Sequence, residues 1–182
     1  MSKFITELTG ISFRVLNPFL FQTKAEMCRH PEVRRLRDCI KLTFSCDGFP
    51  IRQKDQPQCG ICTSCLLRRL SLESAGLSDF DSRYLHDFTV DDLANKRKKL
   101  AKLSVMDWQA RQIGACLRSP APWQELIHQF PALQDVLAEV CRTTGTEPDN
   151  ISSGLLRLYS QYVQEWDSFS GTSLLTKQAL AA

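Results

Sequence analysis

Cys46, Cys59, Cys62 and Cys65 stand in a C-x12-C-G-x-C-x-x-C array, whose residue types and spacing point directly to chemistry. Thiolates at C-x2-C spacing can aim two sulfurs at one point, and a fourth brought back by a loop completes the tetrahedral set that zinc takes. Gly60, directly after the first clustered cysteine, permits the positive φ that a tight metal-binding knuckle requires. The loop from Asp47 to Gln58 is mostly polar, contains Gly48, Pro50 and Pro57, and has only Phe49 and Ile51 as large apolar residues. That is too little to fold around, so something else must fix its ends, and a metal would do it.

Three other readings stay open at this point. The four cysteines can be buried thiols, although Cys59, Cys62 and Cys65 lie among mostly polar residues. They can be disulfides, although the N-terminal Met1 to Glu7 has no uninterrupted apolar signal region, which makes a reduced, cytoplasmic setting the expectation. An iron–sulfur cluster is the chemical rival, because C-x2-C-x2-C also occurs in ferredoxin-type runs; here Leu66, not proline, follows Cys65.

The chain that must position these groups has 182 residues, enough for one moderate domain or for a small metal-bound unit followed by a helical one. Hydrophobic residues make up 43%, enough for a core. No stretch approaches the ~20 apolar residues of a membrane span. The net charge of +3 is too small to argue for nucleic acid by itself. The basic run from Lys96 to Lys99 reads as the solvent face of a helix, with phosphate contact as the alternative.

Ile11 to Leu16 alternates apolar and polar residues and predicts a strand ending at Asn17-Pro18. Thr23-Lys24-Ala25-Glu26 is a capping box that starts a short helix, and His30-Pro31 interrupts it. A second helix is expected to carry Val33, Leu36 and Ile40 on one face. After Cys65 a further helix turns Leu66, Leu67 and Leu70 inward and stops at Gly76. The last two cysteines then sit at a helix N-terminus, where partial positive charge favours thiolate.

The chain changes character near Asp79. Thr89 to Ser119 reads helical, opening with Thr89-x-x-Asp92 and carrying Leu93, Leu100, Leu103, Met106, Ile113 and Leu117. Shorter helices follow at Trp123 to His128 and Pro131 to Cys141, then a loop from Gly145 to Asn150 and a last helix from Ile151 to Phe169. Residues 1–82 form the cysteine-bearing unit, 83–170 a helical domain and 171–182 a mobile tail. Tyr159, Tyr162 and Trp166 fall at helical spacing and read as core or interface before any base-stacking platform. Cys116 and Cys141 fall on helical apolar stretches and read as buried thiols, Cys28 and Cys39 beside the arginine-rich helix read the same way, and His30, His86 and His128 belong to no catalytic triad pattern.

Pro18, then Thr23-Lys24-Ala25-Glu26, then Thr43-Phe44-Ser45-Cys46, then Cys59-Gly60-x-Cys62-x-x-Cys65-x-x-Arg68, taken in order, resemble the C-terminal part of QueC-type 7-cyano-7-deazaguanine synthases. The similarity runs from about Ile11 to Asp81, and the helical remainder looks similar to the extra C-terminal region of QueC-like proteins in anti-phage defence operons (the QatC type). The resemblance implies a T-K-A-E helix after the last strand of a Rossmann-like sheet and a zinc ion on the four cysteines. It also implies that Lys24 and Arg68 face an adenylate or substrate carboxylate in the complete enzyme. Those enzymes are ATP-dependent nitrile-forming ligases that need an S-G-G-x-D-S loop; this chain has none, and its eight glycines are all isolated.

The expected fold class is therefore mainly α, with a short N-terminal strand from an incomplete Rossmann-like α/β unit, a zinc-binding knuckle of four cysteines and a C-terminal helical domain. Two functions compete. The chain is the C-terminal portion of a QueC-like ligase, inactive alone, using ATP only when completed by an N-terminal half that is missing here. Alternatively it is a non-catalytic zinc-stabilised module that binds a protein or nucleic acid. The apolar segment from Ile11 to Phe21 is expected to pair with another chain, the alternative being that it folds back onto the helices of residues 89–169.

Overall fold

The computed structural model describes residues 2–13, 17–48, 58–86 and 97–169. They form eight α-helices: α1 Ser2–Thr9, α2 Lys24–Cys28, α3 Pro31–Arg35, α4 Thr63–Ser74, α5 Arg97–Leu117, α6 Pro122–Gln129, α7 Ala132–Thr144 and α8 Pro148–Ser168. Two 3-10 turns, Arg37–Leu42 and Ser78–Phe80, join them. Among the described residues there is no strand, and the one β-type pairing is an isolated parallel bridge between Gln58 and Tyr84. No described helix is long and apolar enough to cross a membrane.

The capping box forms as the sequence requires. The Glu26 N–H donates to the Thr23 hydroxyl oxygen at 3.1 Å, and the Thr23 N–H donates to the Glu26 carboxylate at 2.8 Å. The same two residues tie α2 to α8: the Thr23 hydroxyl donates to Glu165 Oε1 at 2.9 Å, and Arg157 pairs with Glu26 at 2.5 Å. Glu165 is buried, and it also accepts from Arg29 Nη1 at 3.2 Å and from the Gln161 amide at 2.9 Å. A five-residue helix cannot hold itself in water, so these contacts, together with packing on α4, fix α2.

The main core joins the two halves of the chain. Leu66 and Leu70 of α4 pack with Leu103, Met106 and Ala110 of α5, and with Trp166 and Phe169 at the end of α8. A second cluster of Ile113, Leu126 and Leu133 locks α5, α6 and α7 together, with Tyr159 of α8 against it. The apolar positions of α5 recur at three- and four-residue steps, so one stripe serves both clusters.

Three expectations need correction. No strand forms at Ile11–Phe13, where the Phe13 N–H donates to Thr6 Oγ1 at 3.0 Å; residues 14–16 lie outside the described part. A single strand has no ladder to join, and the chain before this segment is helical instead, with Phe4, Ile5 and Leu8 at helical spacing in α1. The helix expected through Val33, Leu36 and Ile40 splits into α3 and a 3-10 turn, and Leu36 ends 61% exposed. The last helix begins at Pro148, not Ile151, because proline at the first helical position needs no N–H partner. Leu93, with the Thr89-x-x-Asp92 opening, and the tail 171–182 lie outside the described residues. The apolar segment divides: Phe21 lies on Gly154 of α8, where an added Cβ would come within 2.7 Å of its ring, whereas Ile11, Phe13 and Phe19 stay exposed.

Candidate metal centre

Cys62 caps the N-terminus of α4, and its sulfur accepts the Cys65 N–H at 3.4 Å and the Asp47 N–H at 3.5 Å. One step earlier, Cys59 Sγ accepts the Cys62 N–H at 3.3 Å. Each such bond stabilises a thiolate over a thiol and fixes the sulfur's direction. Gly60 makes the turn possible at φ +82°, and the space beside it is closed: a Cβ there would stand 2.5 Å from the His86 carbonyl oxygen and 2.6 Å from Arg69 Nη2. Replacing Gly60 with alanine is therefore expected to cost on the order of 1–3 kcal/mol in backbone strain alone. Urea midpoints of the two proteins measure it; an unchanged midpoint contradicts the tight turn.

The four sulfurs converge. Cys46 Sγ lies 3.3 Å from Cys59 Sγ and 3.6 Å from Cys62 Sγ, Cys59 Sγ lies 3.8 Å from Cys65 Sγ, and all four fall within 4.8 Å of one another. A tetrahedron of sulfurs ~2.3 Å from a central ion has edges of about 3.8 Å, so the set fits one metal ion. A polynuclear iron–sulfur cluster would place several metal atoms between the same sulfurs and hold them farther apart. The separations also exceed the ~2.05 Å of a disulfide, and all eight cysteines are free thiols. Burial pushes the thiols of Cys62 and Cys65 up. For Cys46 burial acts the same way, but hydrogen bonds from Cys59 and Gly48 outweigh it and bring the thiol down to about 6.

What brings Cys46 to the other three is a set of polar contacts that cysteine spacing does not reveal. The buried Gln58 accepts the Ser45 N–H at 2.9 Å through Oε1, and its amide donates to Ser82 Oγ at 2.7 Å. Its backbone carbonyl accepts the Leu85 N–H at 2.8 Å, so one side chain and its own peptide join three loop segments around the cysteines. Ser64 donates to Asp47 at 2.5 Å and holds that carboxyl below its usual range. Tyr84 packs beside the sulfurs, donates to Asp81 at 2.5 Å and lies under the Arg69 guanidinium, 3.8 Å from its ring centre.

The two side chains singled out beside the cysteines meet at one cavity. Lys24 and Arg68 both line a cleft of roughly 350 Å³ between α2, α4 and the segment that runs to Cys46, together with Thr43, Ser45 and Ser64. Their availability differs. Arg68 is 8% exposed, and its Nε donates to Asp81 at 2.8 Å, its Nη1 to Thr43 at 2.7 Å and Ser45 at 3.3 Å, and its Nη2 to the Ile40 carbonyl at 2.7 Å. Four of the five guanidinium donors are thus committed, which leaves one for anything in the cleft. Lys24 is exposed and makes no ion pair among the described residues.

Comparison of the chain with models of protein families, with curated proteins and with solved structures gives no match. The site is therefore defined by its geometry: a tetrathiolate centre compatible with a bound metal ion, seated at the start of a buried helix.

Proposed function

We propose that the chain is a zinc-binding module whose tetrathiolate site is structural, and that it serves as the C-terminal portion of a QueC-like ATP-dependent ligase. The convergence of four cysteine sulfurs within 4.8 Å carries the first part of this reading. Four thiolates leave no open coordination position for water, so such an ion staples the fold and activates nothing. The ordered run of Thr23-Lys24-Ala25-Glu26, Cys46 and Cys59 to Arg68 supports the second part, as does the cleft that Lys24 and Arg68 share. In this reading Lys24 supplies the charge toward an anionic group, while Arg68 chiefly holds the cleft wall.

Metal analysis of the purified chain is expected to give one zinc per molecule and a colourless protein; stoichiometric iron with visible absorption overturns the zinc assignment. Alone, the chain is expected to release neither AMP nor pyrophosphate from ATP. Mixing it with a separately produced partner bearing an S-G-G-x-D-S loop is expected to restore that release, and failure with a partner that does bind sinks the ligase reading.

A second reading has its own observation. Phe4 and Leu8 of α1 are 65% and 68% exposed, and Val105 and Trp108 of α5 are 63% and 52% exposed. Large apolar side chains presented in pairs on helices suit a zinc-stabilised protein-interaction module.

A further inference from the structure

A second cavity, of roughly 320 Å³, lies between α2, α4, α5 and α8 and shares Lys24 and Ser71 with the cleft described above. Its walls are largely apolar: Leu67 and Leu70 come from α4, Met106 and Ile113 from α5, and Leu158 from α8. This size is at the lower end of the ~300–1,000 Å³ typical of small-molecule sites, and a mostly apolar lining with a few polar groups is their usual composition.

The polar groups decide what would fit. Two charged side chains line the cavity, Lys24 and Glu165. Glu165 is already matched by Arg29 at 3.2 Å and receives hydrogen bonds from Thr23 and Gln161. Lys24 has no such partner among the described residues, so the uncompensated charge at this cavity is positive. Tyr159 and Tyr162 also line it, and burial pushes both phenols up, Tyr162 to about 12. At neutral pH both therefore remain protonated and able to donate. Neither hydroxyl donates to a partner among the described residues. Thr63 and Gln109 add two further side-chain donors.

We propose that this cavity binds a small amphipathic carboxylate, its apolar body among Leu67, Met106, Ile113 and Leu158 and its carboxylate on Lys24. The site needs α5 and α8 as walls, so it belongs to the helical half of the chain as much as to the cysteine-bearing half. It depends on neither the identity of the metal nor the ligase reading.

The probe is octanoate, titrated by calorimetry into the full metal-loaded chain, with octanol and octylammonium as neutral and cationic counterparts. Octanoate is expected to bind at one site per chain, and octylammonium at least roughly tenfold more weakly, the worth of one charge-assisted hydrogen bond. Lys24→Met should weaken octanoate by about the same factor without changing octanol. Gln109→Trp, at an exposed position on the rim, should abolish binding of both by filling the cavity. Circular dichroism and metal content confirm that each variant is folded. Absence of saturable octanoate binding, equal binding of octylammonium, or indifference to both substitutions would each overturn the proposal.

Discussion

Cys65→Ser is expected to abolish stoichiometric metal binding and to unfasten the chain from Thr43 to His86. Cys65 is fully buried, and its sulfur sits among the other three, so a hydroxyl there neither ligates as a thiolate nor fills the space. Structural zinc in small peptides is worth on the order of 10–16 kcal/mol at neutral pH, far more than the few apolar contacts of these loops could replace. Hydrogen exchange should therefore show loss of protection across Gln58, Ser82 and Leu85, while α6 and α7, which pack in the separate cluster around Leu126, stay protected. Cys39→Ser, at an exposed position, is the control and should behave as the parent protein. Acid should act as the mutation does. The buried thiols of Cys62 and Cys65 hold their protons more tightly than an ordinary cysteine, so metal must displace protons to bind and its affinity must fall as pH is lowered. Retention of one metal per chain in Cys65→Ser would refute the tetrathiolate site.

The second large effect is expected from Arg68→Met. The substitution leaves the Asp81 carboxylate, 9% exposed, without the cation that lies 2.8 Å away, and it strips hydrogen bonds from Thr43, Ser45 and the Ile40 carbonyl. Removing one partner of a buried ion pair costs on the order of 3–5 kcal/mol, because the other charge stays buried. The same contacts anchor the segment that delivers Cys46, so metal affinity should fall as well. Arg68→Lys is expected to recover only part of the loss, since an ammonium cannot reproduce the planar fork that reaches Asp81, Thr43, Ser45 and Ile40 together. A double variant that also replaces Asp81 with leucine should lose less than the sum of the single changes. Denaturant unfolding of the parent and these variants measures all of this. If Arg68 served only a bound ligand, Arg68→Met would leave the unfolding midpoint where it was.

Much of the local structure is written in short stretches of sequence. Thr23 and Glu26 cap α2 because the two groups of the box lie three residues apart, and no distant residue is needed to bring them together. Gly60 turns the knuckle, Gly76 and Gly145 take positive φ near helix ends, and the C-x2-C spacing already points Cys59, Cys62 and Cys65 at one place. The apolar steps through Leu103, Met106 and Ile113 define the buried stripe of α5 for the same reason: a helix's period is fixed by its own backbone.

Tertiary structure decided the rest, and in each case the deciding contact joins residues far apart in the chain. Alternation from Ile11 to Leu16 predicts a strand, but a strand exists only if another pairs with it, and no described residue of this stretch, Ile11 to Phe13, has such a partner. Leu36 has the spacing of a core residue, yet the turn after α3 tightens and leaves it in solvent. Gln58, Asp81 and Tyr84 are polar loop residues with no motif of their own, and they matter because folding places them around the sulfurs. Arg68 carries a motif that resembles a ligand-binding one, but only its acceptors, which lie between 13 and 28 residues away, show how fully its guanidinium is engaged. Glu165 is buried 142 residues from the Thr23 hydroxyl that it accepts, and the cavity beside it takes its walls from four helices. Spacing within one turn or one knuckle is local chemistry and can be read from sequence. Whether a charge is compensated, or a cavity left open, depends on which surfaces meet, and that is settled when the helices pack.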